Sequence, residues 1–353
     1  MNSPIKINSK EIQLMKPLTE ADYDSKTVLT NSSWEYVELW LRRQHGDKAR
    51  RALFFWSQAK CFFDASEILP IESRPLTSYY CCMNAAKALL AVRGNPKINF
   101  DNISHGITSD RNQWMTDSIA NAKVIFQGGG VLFELSRYLG EEAKKEEYCV
   151  YDLLYNIPCI HRAFSITYQQ AELFVPIKDI NFVYNPDIKK GWIQFKLDNR
   201  YANGYTLKLL PSNYEKVLDG KTGKWEGELR SKKRFEWDIH KTQKKRLLNL
   251  TQYHKKIRKD FHYIYSDQRL WYIKKQLPKP KHSVNRSSVT LIYAVMHWMS
   301  ELVRYNPEKF DRVMKTKQNW VLHQFVDTAL YQFIDEISCE ITRNEIMTSG
   351  YRK

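Results

Sequence analysis

The sequence has 353 residues, of which 43% are hydrophobic, and carries a formal net charge of +16 at pH 7. This length allows two or three domains with packed cores. No apolar run approaches the roughly 18 residues that a membrane-spanning helix needs, and the six cysteines show no CxxC or zinc-type spacing. We therefore expect a cytoplasmic protein that contacts no membrane and needs no metal or cofactor.

The first 173 residues are predicted to be a leader followed by helices. Residues 1–30 mix charges and lack an apolar signal segment, which predicts a loose leader. Helical patterns dominate residues 31–173, most clearly in "SRPLTSYYCCMNAAKALLAVRG" (residues 73–94). Cys81 and Cys82 stand there about 100° apart around the helix. Because no base is adjacent to activate a thiolate, we interpret both as packing residues.

The hydrophobic pattern changes from helical to alternating spacing near residue 174, which predicts a β-rich insert over residues 174–282. Short alternating runs follow one another, separated by turn signals: "FVPIKDINFVYN", "GWIQFKLD", "YTLKLL", "KWEGELR" and "RFEWDIH". Residues 283–353 return to helical spacing and are expected to complete a bundle with the first helical part. The predicted fold class is α+β, a mainly α-helical bundle with an inserted basic β-rich domain.

The positive charge is concentrated in this insert. Residues 187–286 hold 26 Lys and Arg against 10 Asp and Glu, whereas the rest of the chain is balanced. Aromatic residues are interleaved with the cations, and single-stranded nucleic acid binds both. Alternatively the rings fill a core, and an acidic protein partner or a membrane surface would be drawn to the same field. The candidate nucleic-acid-binding residues are Lys232, Lys233, Arg234, Lys244, Lys245, Arg246, Lys255, Lys256, Arg258 and Lys259.

Four residues are candidates for catalysis. His297, Glu301 and Arg304 follow i, i+4, i+7 spacing, so one helix face presents a base, an acid and a cation. Such a set could abstract a 2′-hydroxyl proton and steady a phosphate, as a metal-free ribonuclease requires; a salt-bridged helix face is the alternative. His105 lies in the polar loop "NISHGITSD", where function is common, although it could equally cap a helix. The glycine triplet at 128–130 precedes a helical stretch but lacks the Lys-Ser/Thr of a P-loop, which favours a turn.

Several long stretches resemble the YaaC-like protein family. They run from about Ala52 to Phe310: "FFWSQAKCFFDASEILPIESRPLTSYYCCMNAAKALL", "HGIT", "LLYNIPCIHRAF", "YHKKIRKDFHYIYSDQRLWYI" and "LIYAVMHWMSELVRYNPEKF". This resemblance implies a bacterial cytoplasmic protein with a helical–β–helical plan.

The helical part also resembles HEPN (higher eukaryotes and prokaryotes nucleotide-binding) domains. Many of these are dimeric ribonucleases of toxin and phage-defence systems, so the resemblance implies a HEPN-like bundle, a homodimer and RNA rather than DNA. HEPN ribonucleases carry Arg-x4–6-His late in a helix. Here Arg304 is followed by "YNPEKF" without a histidine, so no catalytic residue can be carried over.

Two functions are therefore expected from the sequence. The first is a YaaC-like protein that binds RNA through its basic insert and cleaves it without metal as a phage-defence effector. The second is a non-catalytic scaffold whose bundle dimerises and whose insert docks on nucleic acid or on an acidic protein partner.

Overall fold

Two compact units make up the chain in a computed structural model that describes residues 2–7, 9–110, 118–277 and 282–349. The β unit comprises residues 1–28, 173–281 and 343–347. The helical unit comprises residues 29–172, 282–342 and 348–353. The fold is thus mixed α/β with antiparallel sheets.

The described residues form the following strands and helices. The strands are β1 Ser3–Pro4, β2 Lys6–Ile7, β3 Lys10–Glu11, β4 Val28–Thr30, β5 Ile107–Ser109, β6 Lys123–Phe126, β7 Glu146–Cys149, β8 Phe174–Asn185, β9 Lys190–Leu197, β10 Tyr214–Leu218, β11 Trp225–Ser231, β12 Phe235–Glu236, β13 Phe261–Ile264, β14 Leu270–Lys274 and β15 Ile346–Thr348. The α-helices are α1 Ser33–Arg42, α2 Asp47–Ile68, α3 Arg74–Arg93, α4 Val131–Tyr138, α5 Val150–Tyr155, α6 His161–Tyr168, α7 Gly204–Leu209, α8 Gln243–Ile257, α9 Ser288–Tyr305, α10 Pro307–Met314 and α11 Asn319–Thr342.

The β unit is built on an antiparallel sheet in the order β10-β11-β9-β8-β14-β13. Strand β8 occupies the run predicted from the sequence, and Phe182 on it pairs with Ile193 on β9. Helix α8 packs against this sheet through Tyr253, whose hydroxyl accepts a hydrogen bond from the Ile193 N–H of β9 at 3.1 Å. The Tyr253 ring also lies 4.7 Å from that of Phe235. These contacts fix one side of α8 against the sheet, and the lysines of α8 remain exposed.

The N-terminal segment is part of the β unit and is not the loose leader expected from its charges. Strand β1 pairs with β8, and the Ile5 N–H donates to the Phe182 carbonyl at 2.8 Å. Ile5, Ile12 and Leu14 are buried in the same core as Phe182. Ile12 and Leu14 stand two residues apart, as on one face of a strand, but two residues are too short a pattern to predict this packing.

In the helical unit, α3 packs against α2, α9 and α11. Cys81 and Cys82 are fully buried on α3, and this burial raises the pKa of both thiols. Their interpretation as packing residues is confirmed. The same unit also holds a three-stranded antiparallel sheet, β5-β6-β7, which was not predicted because its strands are only three or four residues long.

One predicted strand of the insert is a helix, and another is shorter than predicted. "YTLKLL" forms most of α7, because the Asn203 side chain accepts the Thr206 N–H at 2.9 Å and starts a helical turn. In "RFEWDIH" only Phe235–Glu236 pair as a strand, and Ile239 is exposed. No helix within the described ranges is long and apolar enough to cross a bilayer.

Candidate functional site

His105 lies in a loop that two glycines hold against the turn before α4. Gly106 has φ +80° and Gly130 has φ +107°, a region that favours glycine. A Cβ on Gly130 would lie 2.5 Å from the Gly106 nitrogen. The two backbones therefore touch directly, and this contact fixes the position of His105.

The glycine triplet at 128–130 is a packing turn, as the sequence favoured. The first amides of α4 are already bonded, since the Val131 N–H donates to the Ser104 carbonyl at 2.8 Å. The Leu132 N–H likewise donates to the His105 carbonyl at 3.2 Å. These two amides are occupied by the His105 loop and are not available to cradle an anion.

The loop brings His105 beside His297 on α9. Their ring centroids are 6.1 Å apart in an edge-to-face arrangement. The Tyr79 ring of α3 packs against both, 5.5 Å from His105 and 5.0 Å from His297. The Tyr293 hydroxyl donates to the His105 carbonyl at 3.3 Å. Two histidines predicted separately from the sequence thus share one aromatic cluster.

His297 is buried, which makes its imidazole a neutral group at pH 7. Burial lowers its pKa to about 4, although the Glu301 carboxylate acts in the opposite direction. His297 Nδ1 lies 3.9 Å from Glu301 Oε2, too far for a hydrogen bond, and within the described residues it has no hydrogen-bond partner. Glu301 Oε2 instead accepts the Ser109 N–H at 3.0 Å. The i, i+4 spacing placed the pair correctly but did not produce a direct bond.

His105 is half-buried and lies among charged groups from two helices. Burial is the main cause that lowers its pKa, and the Lys87 ammonium adds to it; Glu301 raises the pKa and Arg304 lowers it. Arg304 is exposed, with its guanidinium 4.9 Å above the Tyr305 ring. A neutral imidazole flanked by two cations can accept a proton while the cations face an anionic group.

Lys87 was missed in the sequence, although a signal was present. It is the only charged residue of α3 between Arg74 and Arg93, in an otherwise apolar or neutral helix. Its pKa is lowered by burial. A half-buried cation on a helix that packs on several sides suggests a functional role. The positive charge of Lys87 lowers the pKa of His105, which places Lys87 with the candidate site.

The basic residues of the β unit form a second site, which we call the basic cleft. Its volume is about 450 Å³, and helix α8 supplies one wall while the chain around β12 supplies the other. Asn249, Gln252 and Lys256 follow i, i+3, i+7 spacing along α8, and Lys233 and Arg234 belong to the other wall. The lining residues are Lys233, Arg234, Phe235, Glu236, Asn249, Gln252, Tyr253 and Lys256. Asn249 and Gln252 were not predicted as site residues, but they lie on the helical stripe that ends in Lys256.

The basic cleft keeps a net positive charge, because the one carboxylate of its lining, Glu236, is ion-paired with Lys241. A hydrogen bond from Lys241 is the main cause that lowers the pKa of Glu236, and Lys190 and Lys245 add to it. Arg234 lies 4.5 Å above the Trp192 ring and donates to Glu215 at 3.3 Å, so its guanidinium is held in a fixed position. Lys233 and Lys256 are exposed.

The remaining predicted binding residues divide by exposure. Arg258 is buried, donating to the Lys16 carbonyl at 2.8 Å and lying 4.8 Å above the Trp271 ring. It therefore holds the core together and does not belong to a binding surface. Arg246 is half-buried, 5.1 Å above the Trp237 ring. The exposed members are Lys232, Lys233, Lys244, Lys245, Lys255, Lys256 and Lys259.

Most of the interleaved aromatic residues fill the core. Phe235, Trp237, Tyr253, Phe261, Tyr263, Trp271 and Tyr272 are buried, whereas Trp225 and Tyr265 are half-buried. The cations therefore remain as the part of the sequence pattern that is available to a ligand. In the described ranges no group of three or more His, Cys, Asp or Glu side chains could hold a metal ion.

A family model, described as YaaC-like Protein, matches residues 16–341. The chain belongs to the YaaC-like family. The matched region includes the His105 cluster and the basic cleft, and it begins in the buried N-terminal segment of this YaaC-like protein. It is longer than the region from Ala52 to Phe310 in which the resemblance was recognised. No curated protein and no solved structure matches the chain.

Proposed function

We propose that this YaaC-like protein binds nucleic acid, RNA rather than DNA, at the basic cleft. The observation that carries the proposal is the convergence of Lys233, Arg234 and Lys256 from two separate segments on one cleft. The only carboxylate of its lining, Glu236, is paired with Lys241. Phosphates are recognised by such clustered cations, which release condensed counterions on binding.

Lys244 and Lys245 do not stabilise helix α8, which favours a ligand as the explanation of these two charges, whereas Lys255 and Lys256 in its last turn also suit the helix dipole. Lys244 and Lys245 are exposed in its first turn, where the helix dipole disfavours cations, and α8 contains no acidic residue. Because few rings are exposed near these cations, contacts with the sugar–phosphate backbone are expected to dominate over base stacking.

The test compares a cleft variant with a matched charge control. Lys233→Ala with Lys256→Ala removes two cleft cations, and Lys221→Ala with Lys224→Ala removes two exposed cations from the β10–β11 turn, at the other end of β11. We expect the cleft pair to weaken RNA binding roughly tenfold and to reduce the salt dependence by about one to two phosphate contacts. Fluorescence anisotropy at several salt concentrations measures both quantities.

Two outcomes would contradict binding at the cleft. Equal losses in both variants would mean that net charge alone attracts RNA. If neither RNA nor DNA is retained at low salt, an acidic protein partner becomes the better explanation of the field.

A second function, metal-independent RNA cleavage, is favoured by the placement of His105. This half-buried imidazole is flanked by His297 and feels the charges of Lys87, Glu301 and Arg304. We propose that His105 accepts the 2′-hydroxyl proton while the 2′ oxygen attacks the phosphorus, the P–O5′ bond breaks and the 5′ oxygen leaves with a proton from water, giving a 2′,3′-cyclic phosphate. In this step Arg304 and Lys87 stabilise the charged phosphate, and buried His297 positions the His105 ring. With this activity the protein would act as a phage-defence effector, as the resemblance to HEPN ribonucleases implies.

Cleavage is tested on labelled RNA in the presence of EDTA. We expect His105→Ala to abolish cleavage and Lys87→Ala or Arg304→Ala to lower its rate by roughly 10²-fold or more, since each removes charge stabilisation. His297→Ala is expected to shift the pH profile of the rate, because its ring packs against His105. RNA retention without any product in wild-type protein would exclude cleavage and favour the non-catalytic scaffold.

A further inference from the structure

We propose that the basic cleft recognises the edge of one unpaired adenine, so that its ligand is single-stranded RNA with an adenine at the bound position. This inference rests on the proposed binding of RNA at the basic cleft and names the part of the strand that enters it. It starts from two uncharged side chains of the lining, Asn249 and Gln252, which attraction of phosphate alone does not explain.

The size and lining of the basic cleft suit a nucleobase. Its volume of about 450 Å³ falls within the roughly 300–1,000 Å³ of clefts that hold small ligands. Two buried aromatic residues, Phe235 and Tyr253, belong to the lining, with their ring centroids 4.7 Å apart. A phosphate gains nothing from contact with these rings, whereas a base buries apolar surface against them.

Most polar groups of the lining are already bonded or can only donate. The Tyr253 hydroxyl accepts from the Ile193 N–H at 3.1 Å and donates to the Lys233 carbonyl at 3.2 Å. Glu236 is ion-paired with Lys241. The three cations of the lining have no acceptor atom in their charged groups. A ligand group that both donates and accepts therefore has to bind the two carboxamides.

Asn249 and Gln252 each offer a donor and an acceptor. Asn249 Nδ2 donates to the Glu236 carbonyl at 3.2 Å, and this bond fixes which end of the amide carries the nitrogen, because a carbonyl only accepts. The second N–H and the Oδ1 of Asn249 have no partner among the described residues, and neither has the amide of Gln252. Gln252 is exposed and stands one helical turn from Asn249, so both amides lie on the same side of α8.

The two carboxamides fit adenine better than the other bases. A carboxamide forms two hydrogen bonds with a donor that lies beside an acceptor, as in the pairing of Asn or Gln with adenine N6–H and N7. Adenine offers such a pair on both edges of the base, with N7 and with N1. On its N7 edge guanine presents two acceptors, and the pyrimidines have no N7.

The adenine has to be unpaired to reach these amides. In duplex RNA the N6 and N7 edge lies in a deep, narrow groove that side chains cannot enter, whereas the bases of single strands can be splayed out and recognised on their edges. The cations of the basic cleft then bind the phosphates beside that base, which fixes the position of the strand without selecting its sequence.

The first experiment compares short labelled RNA strands of equal length by fluorescence anisotropy. The full-length His105→Ala protein is used, because the proposed cleavage is abolished in it and the strands stay intact. The ligands are oligo(A), oligo(C), oligo(U), a strand of abasic nucleotides, and oligo(A) paired with oligo(U). We expect oligo(A) to bind roughly tenfold more tightly than each of the others, since two hydrogen bonds to the base are gained.

Gln252→Ala then tests whether α8 makes the distinction. We expect it to lower the affinity for oligo(A) to that for oligo(U) without changing the salt dependence, because no cation is removed. Gln276→Ala is the matched control, since Gln276 is an exposed amide outside the lining. Thermal denaturation shows whether either variant has lost stability, which an exposed binding side chain should not cause.

Failure of this inference and failure of the proposed function give different results. Equal affinities for all strands, the abasic one included, overturn base recognition and leave phosphate binding at the basic cleft intact. A preference for another base, equally tight binding of the duplex, or an adenine preference that survives Gln252→Ala also overturns it. If no strand is retained at low salt, the proposed binding of RNA is wrong, and recognition of adenine is wrong with it.

Discussion

Buried histidines show how single residues depend on contacts far along the chain. Both ring nitrogens of His254 are bonded: Nε2 lies 2.8 Å from the Pro17 carbonyl, and Nδ1 lies 2.7 Å from the Tyr23 hydroxyl. Because a carbonyl can only accept, Nε2 carries the proton and Nδ1 accepts from Tyr23. Burial is the main cause that lowers the pKa of His254 to about 3, so the ring stays neutral.

His254→Leu is expected to destabilise the β unit by roughly 2–4 kcal/mol, because the Tyr23 hydroxyl and the Pro17 carbonyl lose buried partners. The full loss of unfolding free energy in His254→Leu is expected above pH 6.5, where His254 of wild type is neutral in both the folded and the unfolded state. As the pH falls from 6.5 towards 3, the unfolded chain takes up a proton that folded His254 cannot. The free energy of unfolding of wild type then drops by up to about 1.4 kcal/mol per pH unit from this group.

Chemical denaturation at pH 7.5 and pH 5 measures this effect. The His254→Leu variant should show a shallower pH dependence than wild type. His240→Leu serves as control, since His240 is exposed. Equal stability of wild type and His254→Leu at pH 7.5 would contradict the assigned hydrogen bonds.

The candidate site residues were predictable to different degrees. Helical spacing placed His297 and Glu301 on one face of α9, and polar loop composition selected His105. Neither signal could show that the two histidines meet, because their contact depends on a glycine–glycine approach between a loop and a distant turn. Lys87 had only the signal of an isolated charge on α3.

Whole elements were predicted best where one period ran for many residues. The pattern at residues 73–94 forms α3 and the run "FVPIKDINFVYN" forms β8, as expected, since length and regular spacing left little ambiguity. Short runs were less secure: "YTLKLL" alternates like a strand, but the Asn203 cap decides for helix α7. Helix α8 carries Lys244, Lys245, Arg246, Lys255 and Lys256, and these charges obscured the apolar residues that anchor it to the sheet.

Across the whole molecule, the β unit draws on three separate segments of the chain. Residues 1–28 and 343–347 join residues 173–281 in one compact unit. The Lys16 N–H donates to Glu345 at 2.6 Å, and the Lys16 ammonium donates to the Ile346 carbonyl at 2.6 Å. The β unit is thus completed by both ends of the described chain and is more than a simple insert.

Leu14→Ala tests this role of the N-terminal segment. Leu14 is 1% exposed, so its truncation is expected to destabilise the β unit by roughly 2–5 kcal/mol through a lost contact and a cavity. Leu29→Ala is the control, because Leu29 is 69% exposed. Limited proteolysis and thermal denaturation compare the two variants. If Leu14→Ala is as stable as Leu29→Ala, the N-terminal segment is a loose leader and the predicted packing is wrong.

The sequence alone determined the properties that depend on local period and composition: the long helices, strand β8, the concentration of charge and the family. The tertiary structure decided which distant residues meet. It buried Arg258 and most aromatic residues of the charged segment, packed the N-terminal segment into the β unit, and joined His105 to His297. The physical reason is that local spacing determines which face a side chain occupies, whereas burial depends on chain closure over hundreds of residues.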